Sequence, residues 1–193
     1  MKQKIAVIGD GNVGSALAKG LTRAGHEVRT TGKDPKKVRD DAAWGEIVIL
    51  AVPWSALDDV VKELGDAAKG KILVDVTNAL NGQMQLAIGF TTSGAEELAK
   101  KAPSSHVVKA FNTVFAQNMS TGTVKGEKIG AFVAGDDSTA REKVLGIARD
   151  IGFDAVDAGR LVNSRWLETL GYLNIQLGYG LKMGPGIGFR LVH

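Results

Sequence analysis

Strands and helices alternate along this 193-residue chain, and the pattern predicts an α/β fold built on a doubly wound, mostly parallel sheet. Three observations carry the prediction. Short β-branched apolar runs recur between turn residues. Stretches with helical spacing separate them. A glycine-rich turn joins the first run to the first helix. The length suits one domain with a sizeable core, so residues 1–193 are expected to form a single domain, with 162–193 as a short C-terminal helical extension.

Lys4 to Ile8 reads as the first strand, and Val13 to Ala24 as a helix with Val13, Leu17 and Leu21 on one face. Gly25-His26 closes that helix and Val28 to Thr31 forms the second strand. Asp34-Pro35 is an N-cap followed by proline at the first helical position, opening a short helix over Lys36 to Ala43. The run from Glu46 to Pro53 is continuously apolar within, as expected of a strand buried on both faces. Ser55-x-x-Asp58 then offers a capping box for a helix over Ala56 to Leu64. Lys71 to Val76 is a strand ending at Thr77-Asn78. Ser93-x-x-Glu96 caps a helix to about Lys101, and His106 to Ala110 is a strand ending at Phe111-Asn112-Thr113. Lys128 to Ala134 is a further strand, Thr139-x-x-Glu142 begins a helix to about Asp150, and Phe153 to Val156 is the last short strand. From Asn163 to Leu181 apolar residues lie nearly all round the helix, so it must be buried on more than one side. It lies either under its own tail, GPGIGFRLV, or against a second copy; a homodimer through this helix is the expectation.

Composition narrows the chemistry. Lysine plus arginine number 24 against 21 acids, a net charge of +3, which is no basic face for nucleic acid. Cysteine is absent, which excludes disulfides, thiolate metal sites and cysteine nucleophiles. Redox chemistry would therefore belong to a bound cofactor. The N-terminal apolar run stops at Gly9, too short for a signal-peptide core, and no run approaches the roughly 20 apolar residues of a membrane helix. A soluble, cytoplasmic protein is expected. Glycine supplies 25 residues without a repeating period, about 13% against a usual ~7%.

Gly9-Asp10-Gly11-Asn12-Val13-Gly14 is G-x-G-x-x-G between a strand and a helix, the placement of a Rossmann dinucleotide loop. The first glycine permits the sharp turn, the second lets a pyrophosphate approach, and the third allows close helix–strand packing, with the helix N-terminus facing the anion. A carboxylate at the end of the second strand would accept from the ribose 2′-OH and repel a 2′-phosphate. The residues there are Thr30, Thr31, Gly32 and Lys33, with Lys36 and Lys37 following, so NADP(H) is expected over NAD(H). The other reading of these lysines is a solvated cluster. Val52-Pro53-Trp54 sets a rigid turn in which Trp54 either stacks on the cofactor or packs inside. Thr77-Asn78 and Asn112-Thr113 either present amides and hydroxyls to a ring or make simple turns.

In order and spacing, GDGNVGSALAKGL, AGHEV…TGK, ILAVPWSAL, VVKAFNTV, VAGDD and DAGRLVNSRWLE resemble the coenzyme F420-dependent NADP oxidoreductase family over nearly the whole chain. VVKAFNTV is also similar to the NADPH-binding domain of the STEAP metalloreductases. The resemblance implies reversible hydride transfer between NADPH and the 5-deazaflavin ring of coenzyme F420, usually in a homodimer. It puts the pyrophosphate on Asp10, Gly11, Asn12 and Val13, and the 2′-phosphate on Gly32, Lys33 and Lys37. It puts the deazaflavin on Val114, Ala116, Arg165 and Thr169, with Arg165 holding an anionic or carbonyl edge. The alternative for Arg165 is an ion pair with Glu168, three residues on. This chain departs from the family in having Asn112 where well-known members have histidine, and in the loop before Ser93.

No Ser/His/Asp set, zinc motif or carboxylate pair is evident. His26 and His106 read as structural or solvated and the Asp136-Asp137 pair as part of a turn or cap, so neither a catalytic acid–base residue nor a metal is expected. Hydride transfer between two rings requires neither, because the protein supplies orientation. The alternatives are an NADPH-dependent reductase of flavin, ferric ion or another small acceptor, and a non-catalytic NADP(H)-binding sensor. The imine and 3-hydroxyacid reductases open with a similar loop but need a longer helical C-terminal domain.

Overall fold

The computed structural model describes residues 2–192 and shows a mixed, mostly parallel seven-stranded sheet flanked by helices. The first half follows the expected alternation: β1 (Lys4–Ile8), α1 (Asn12–Arg23), β2 (Glu27–Thr31), α2 (Pro35–Trp44), β3 (Ile47–Leu50), α3 (Leu57–Leu64), β4 (Ile72–Asp75), α4 (Gly94–Lys101) and β5 (His106–Lys109). There follow α5 (Ala116–Met119), a hairpin of β6 (Thr123–Val124) and β7 (Glu127–Lys128), β8 (Gly130–Gly135), α6 (Ser138–Ile151), β9 (Asp154–Asp157) and α7 (Ser164–Ile175).

The sheet order is β2-β1-β3-β4-β5-β8-β9, and every pairing is parallel except β5 with β8. The chain leaves β1 outward to β2 and returns on the other side to β3. That reversal makes the carboxyl ends of β1 and β3 the switch point, where open α/β sheets bind ligands. The central strands are buried on both faces, and their side chains alternate between two cores. Ile5, Val7, Ile47 and Ile49 pack with Leu17 and Leu21 of α1 and with α6. Ala6, Ile8, Val48 and Leu50 pack with Val38 of α2, Leu57 and Leu64 of α3 and Leu98 of α4.

Several local expectations need correction. Asp34 caps α2 as expected, accepting from the amides of Lys36 and Lys37, and Ser93 caps α4. Ser55 caps nothing; it lies in a 3-10 turn over Trp54–Ala56 that leads into α3. Asp137 caps α6 by accepting from the Ala140 amide, in keeping with the turn or cap expected of Asp136-Asp137, and the helix starts at Ser138, ahead of Thr139. The stretch expected as one strand from Lys128 to Ala134 is divided between β7 and β8. The hairpin residues ahead of it pair with each other, outside the main sheet.

The C-terminal helix ends early. α7 stops at Ile175 and passes into a wider turn over Gln176–Gly180, where Gly178 lies so close to the Phe115 ring that a Cβ would collide with it. The tail then crosses α5 and β8: Asn118 donates to the carbonyls of Pro185 and Ile187 (3.0 and 3.2 Å), and the Gly130 amide donates to Phe189 (2.7 Å). It does not cover the outer face of α7, where Trp166 is 59% and Leu173 48% exposed.

Candidate functional site

The glycine loop between β1 and α1 is fixed by its neighbours. The Gly9 amide donates to Thr31 O at the end of β2, and the Ala51 amide donates to Ile8 O (2.8 Å each). Gly9 has φ +112° and lies against the Ala51 carbonyl, while Gly14 lies against the Gly9 carbonyl; a side chain fits neither place. Gly11 differs, since a Cβ there would meet nothing within 4 Å, so its face is open. Gly11 is also the N-cap of α1, and no side chain caps that helix, in contrast to α2, α4 and α6. The first-turn amides of α1 are thus left for an anion from outside.

Two clefts meet on this loop and share Gly11, Ala51, Val52 and Pro53. The first, about 430 Å³, adds Gly9, Asp10, Gly32 and Lys33 on one side and α3 on the other. The second, about 370 Å³, adds Asn12, Val13, Trp54, Thr77, Asn78 and Ile175. Trp54 therefore borders the second cleft at the turn after β3. Thr77, which the sequence places with Asn78 either toward a ring or in a simple turn, has a buried Oγ1 with no hydrogen-bond partner among the described residues.

Asn78 and Asn112 are committed to each other and to α7. Asn78 Nδ2 donates to Asn112 O (2.9 Å), while Asn112 Nδ2 donates to Asn78 Oδ1 (3.0 Å) and Leu167 O (2.8 Å). Gly171 of α7 lies directly over the pair; a Cβ would stand 2.6 Å from Asn78 Oδ1 and 2.8 Å from Asn112 Nδ2. These amides position the helix that roofs the strand ends.

Beneath them is an ionic cluster that the sequence did not reveal. Lys109, 0% exposed at the end of β5, donates to Asp75 Oδ2 (2.9 Å) and Thr77 O (2.6 Å) and pairs with Glu168 Oε1 (3.0 Å). Glu168 also accepts from the Gly94 and Ala95 amides at the N-terminus of α4 (2.9 and 3.2 Å), and Asp75 Oδ1 accepts from the Thr77 amide (2.8 Å). Burial pulls the Lys109 pKa down, but Asp75 and Glu168 more than offset this, and the pKa stands above the ordinary lysine value. One protonated amine thus ties β4 and β5 to α7, and Glu168 carries the tie on to α4.

Some expected site residues are placed otherwise. Thr31 is buried and its hydroxyl donates to Asp41 of α2, so it is not free to reach a phosphate. Lys37 lies outside the lining of both clefts, whereas Gly32 and Lys33 line the first. Val114 is buried, and Ala116 lines a separate cleft with Asn12, Phe115 and Tyr179. Arg165 does not pair with Glu168. It makes a two-pronged bond to Glu96 (2.8 and 2.7 Å), because Glu168 faces inward and is taken by Lys109 and α4. Thr169 donates back to Arg165 O (2.8 Å). Asp137 caps α6, and Asp136 accepts from Arg160 and the Leu161 amide.

Comparison with known proteins bears on the whole chain. A family model for coenzyme F420-dependent NADP oxidoreductases matches residues 4–45 and 39–79. The F420-dependent NADP reductase of Methanocaldococcus jannaschii is 30% identical over 179 residues, covering 90% of this chain and 78% of that protein. Metalloreductase STEAP3 of Rattus norvegicus is 28% identical over 179 residues, and the chain spans about a third of its length (36%). A solved structure described as an F420-dependent NADP-reductase from Arthrobacter sp. FB24 superposes with a TM-score of 0.90 at 28% identity, covering 99% of this chain and all of that one.

Proposed function

The chain belongs to the coenzyme F420-dependent NADP oxidoreductase family, and we propose that it binds NADP(H) along the two joined clefts and passes hydride between NADPH and the deazaflavin ring of coenzyme F420. The observation that carries this reading is the open Gly11 at the shared wall of both clefts, facing the uncapped N-terminus of α1. That arrangement suits a molecule with a diphosphate in its middle and a ring system at each end.

When bound, NADPH supplies the hydride. The chain's own part is placement. The α1 amides would hold the diphosphate and Lys33 the 2′-phosphate, with Val52, Pro53 and Trp54 fixing the ring plane. No residue has to move a proton for hydride to pass between two rings. Replacing Lys33 tests the cofactor end: Lys33→Ala should weaken NADPH binding roughly tenfold or more, the loss of one charge-assisted contact, and leave NADH within about twofold. Equal loss of both cofactors contradicts the role given to Lys33.

Similarity to STEAP3 supports a second reading, in which the acceptor is flavin, ferric ion or another small oxidant. An anaerobic assay with NADPH and purified coenzyme F420, run beside free flavin and a ferric chelate, separates the two. Bleaching of the deazaflavin supports the first; flavin or iron reduction without it supports the second. Silence from every acceptor, with NADPH still bound, supports the non-catalytic sensor. The reading includes a cytoplasmic homodimer joined through the outer face of α7, where Trp166 and Leu173 are uncovered. Light scattering showing a monomer would remove the dimer.

A further inference from the structure

The sequence places no acid at the end of β2, yet the fold brings one there from another segment. Asp10 follows Gly9, whose amide is bonded to Thr31 O, and its own carbonyl accepts from Ser15 Oγ (2.9 Å). Held at both ends, the residue sends its side chain across the seam between β1 and β2. Both carboxylate oxygens come to rest over Gly32: a Cβ on Gly32 would stand 2.5 Å from Asp10 Oδ2 and 3.1 Å from Oδ1. Among the described residues, no side chain or backbone amide donates to that carboxylate, so its acceptor sites face the cleft it lines with Gly32 and Lys33. The same cleft carries Asp59 and Glu63 on α3, leaving Lys33 as the one cation among its described lining residues.

A carboxylate at this point of a β1–α1–β2 unit accepts from an adenosine ribose hydroxyl and repels a phosphate placed there. We infer that Asp10 sets the cofactor selectivity of this chain: its carboxylate takes the place of the missing β2 acid, favours the unphosphorylated ribose and holds down the preference for NADPH that Lys33 creates. This inference rests on the proposed dinucleotide site and sharpens it. It predicts a chain that binds NADH as well as NADPH, with a ratio between them set by Asp10 and Lys33 in opposition.

The test is calorimetric binding of NADPH and NADH, and of the fragments adenosine 2′,5′-bisphosphate and AMP, to the intact chain and to Asp10→Asn and Asp10→Ser. Both variants should raise the NADPH-to-NADH affinity ratio about tenfold, as expected when one close like-charge interaction is removed. The fragment pair should move the same way, and the change should shrink at high salt. Two variants of different size guard against a local packing effect, and unchanged melting curves confirm that the loop is intact. A ratio that stays within about twofold, or a parallel loss of both cofactors, overturns the role of Asp10 while leaving the dinucleotide site standing. Binding of neither dinucleotide by the unaltered chain overturns the site reading itself.

Discussion

α1 and α7 are both twelve residues long and both border the carboxyl ends of the strands, but they are built inside out relative to one another. α1 buries Gly14, Leu17, Gly20 and Leu21 and shows polar residues to solvent, the ordinary amphipathic arrangement. α7 buries Ser164, Leu167, Glu168, Gly171 and Asn174, and turns Trp166 and Leu173 outward. α1 is held by apolar packing and offers its free N-terminus to a ligand. α7 is held by named polar bonds, to Lys109, to Asn112 and, through Asn174, to Thr113 O (3.0 Å). A helix with an apolar circumference can therefore be anchored by its few polar residues, leaving the apolar ones for another surface.

The largest expected effect breaks that anchorage. Lys109→Met leaves Asp75 and Glu168 buried without their shared cation, and removing one partner of a buried ion pair costs about 3–5 kcal/mol. Urea denaturation should show this loss. A cost below about 1 kcal/mol would mean that the bonds of Glu168 to the α4 amides suffice, and that the cluster is not what holds α7.

These two helices also mark what the sequence made legible. The glycine loop, α1 and the Asp34 cap are contiguous in the chain, so spacing alone exposes them. The anchorage of α7 joins positions far apart: Lys109 to Asp75 across 34 residues, and Glu168 to Gly94 across 74. Spacing carries no information on such pairings. A signal was nonetheless present, since Lys109 interrupts a run of buried β5 residues where a charge persists only if paired. The alternative ion pair of Arg165 with Glu168 fails for a related reason: Glu168, the nearest acid in sequence, is on the buried face, and the acid in reach of the rim is Glu96. Spacing places Asp10 only in the pyrophosphate loop, because its relation to Gly32 exists only once β1 and β2 lie side by side.

A smaller effect sharpens the contrast between packing and anchorage. Gly171→Ala pushes a methyl group into Asn78 and Asn112, and overpacking of this kind costs about 1–3 kcal/mol. Gly146→Ala in α6 is the control, because a Cβ there meets nothing within 4 Å. It should stabilise by about 0.5–1 kcal/mol through helix propensity. Opposite signs for the two changes, read from thermal melting, are the expected result; a stabilising Gly171→Ala would mean that α7 rides higher above the amide pair than the distances imply.

The smallest effect concerns the rim of α7. The Arg165 guanidinium bonded to Glu96 holds that carboxyl below its ordinary value, with burial opposing and the Ser93 hydroxyl assisting. A lowered folded-state pKa means that the unfolded chain binds the proton more readily. The contribution of the pair is then full above the usual carboxylate range and is lost as pH falls through the folded value. Glu96→Gln should lower the melting midpoint by about 2 °C near neutral pH, and the difference from the unaltered chain should shrink toward zero as pH falls below about 4.5. A difference that persists unchanged at pH 3 would show that Glu96 acts through shape and hydrogen bonding to Ser93. The rim pair would then contribute no charge-dependent hold on α7, and its anchorage would rest on Lys109 and the strand-end amides.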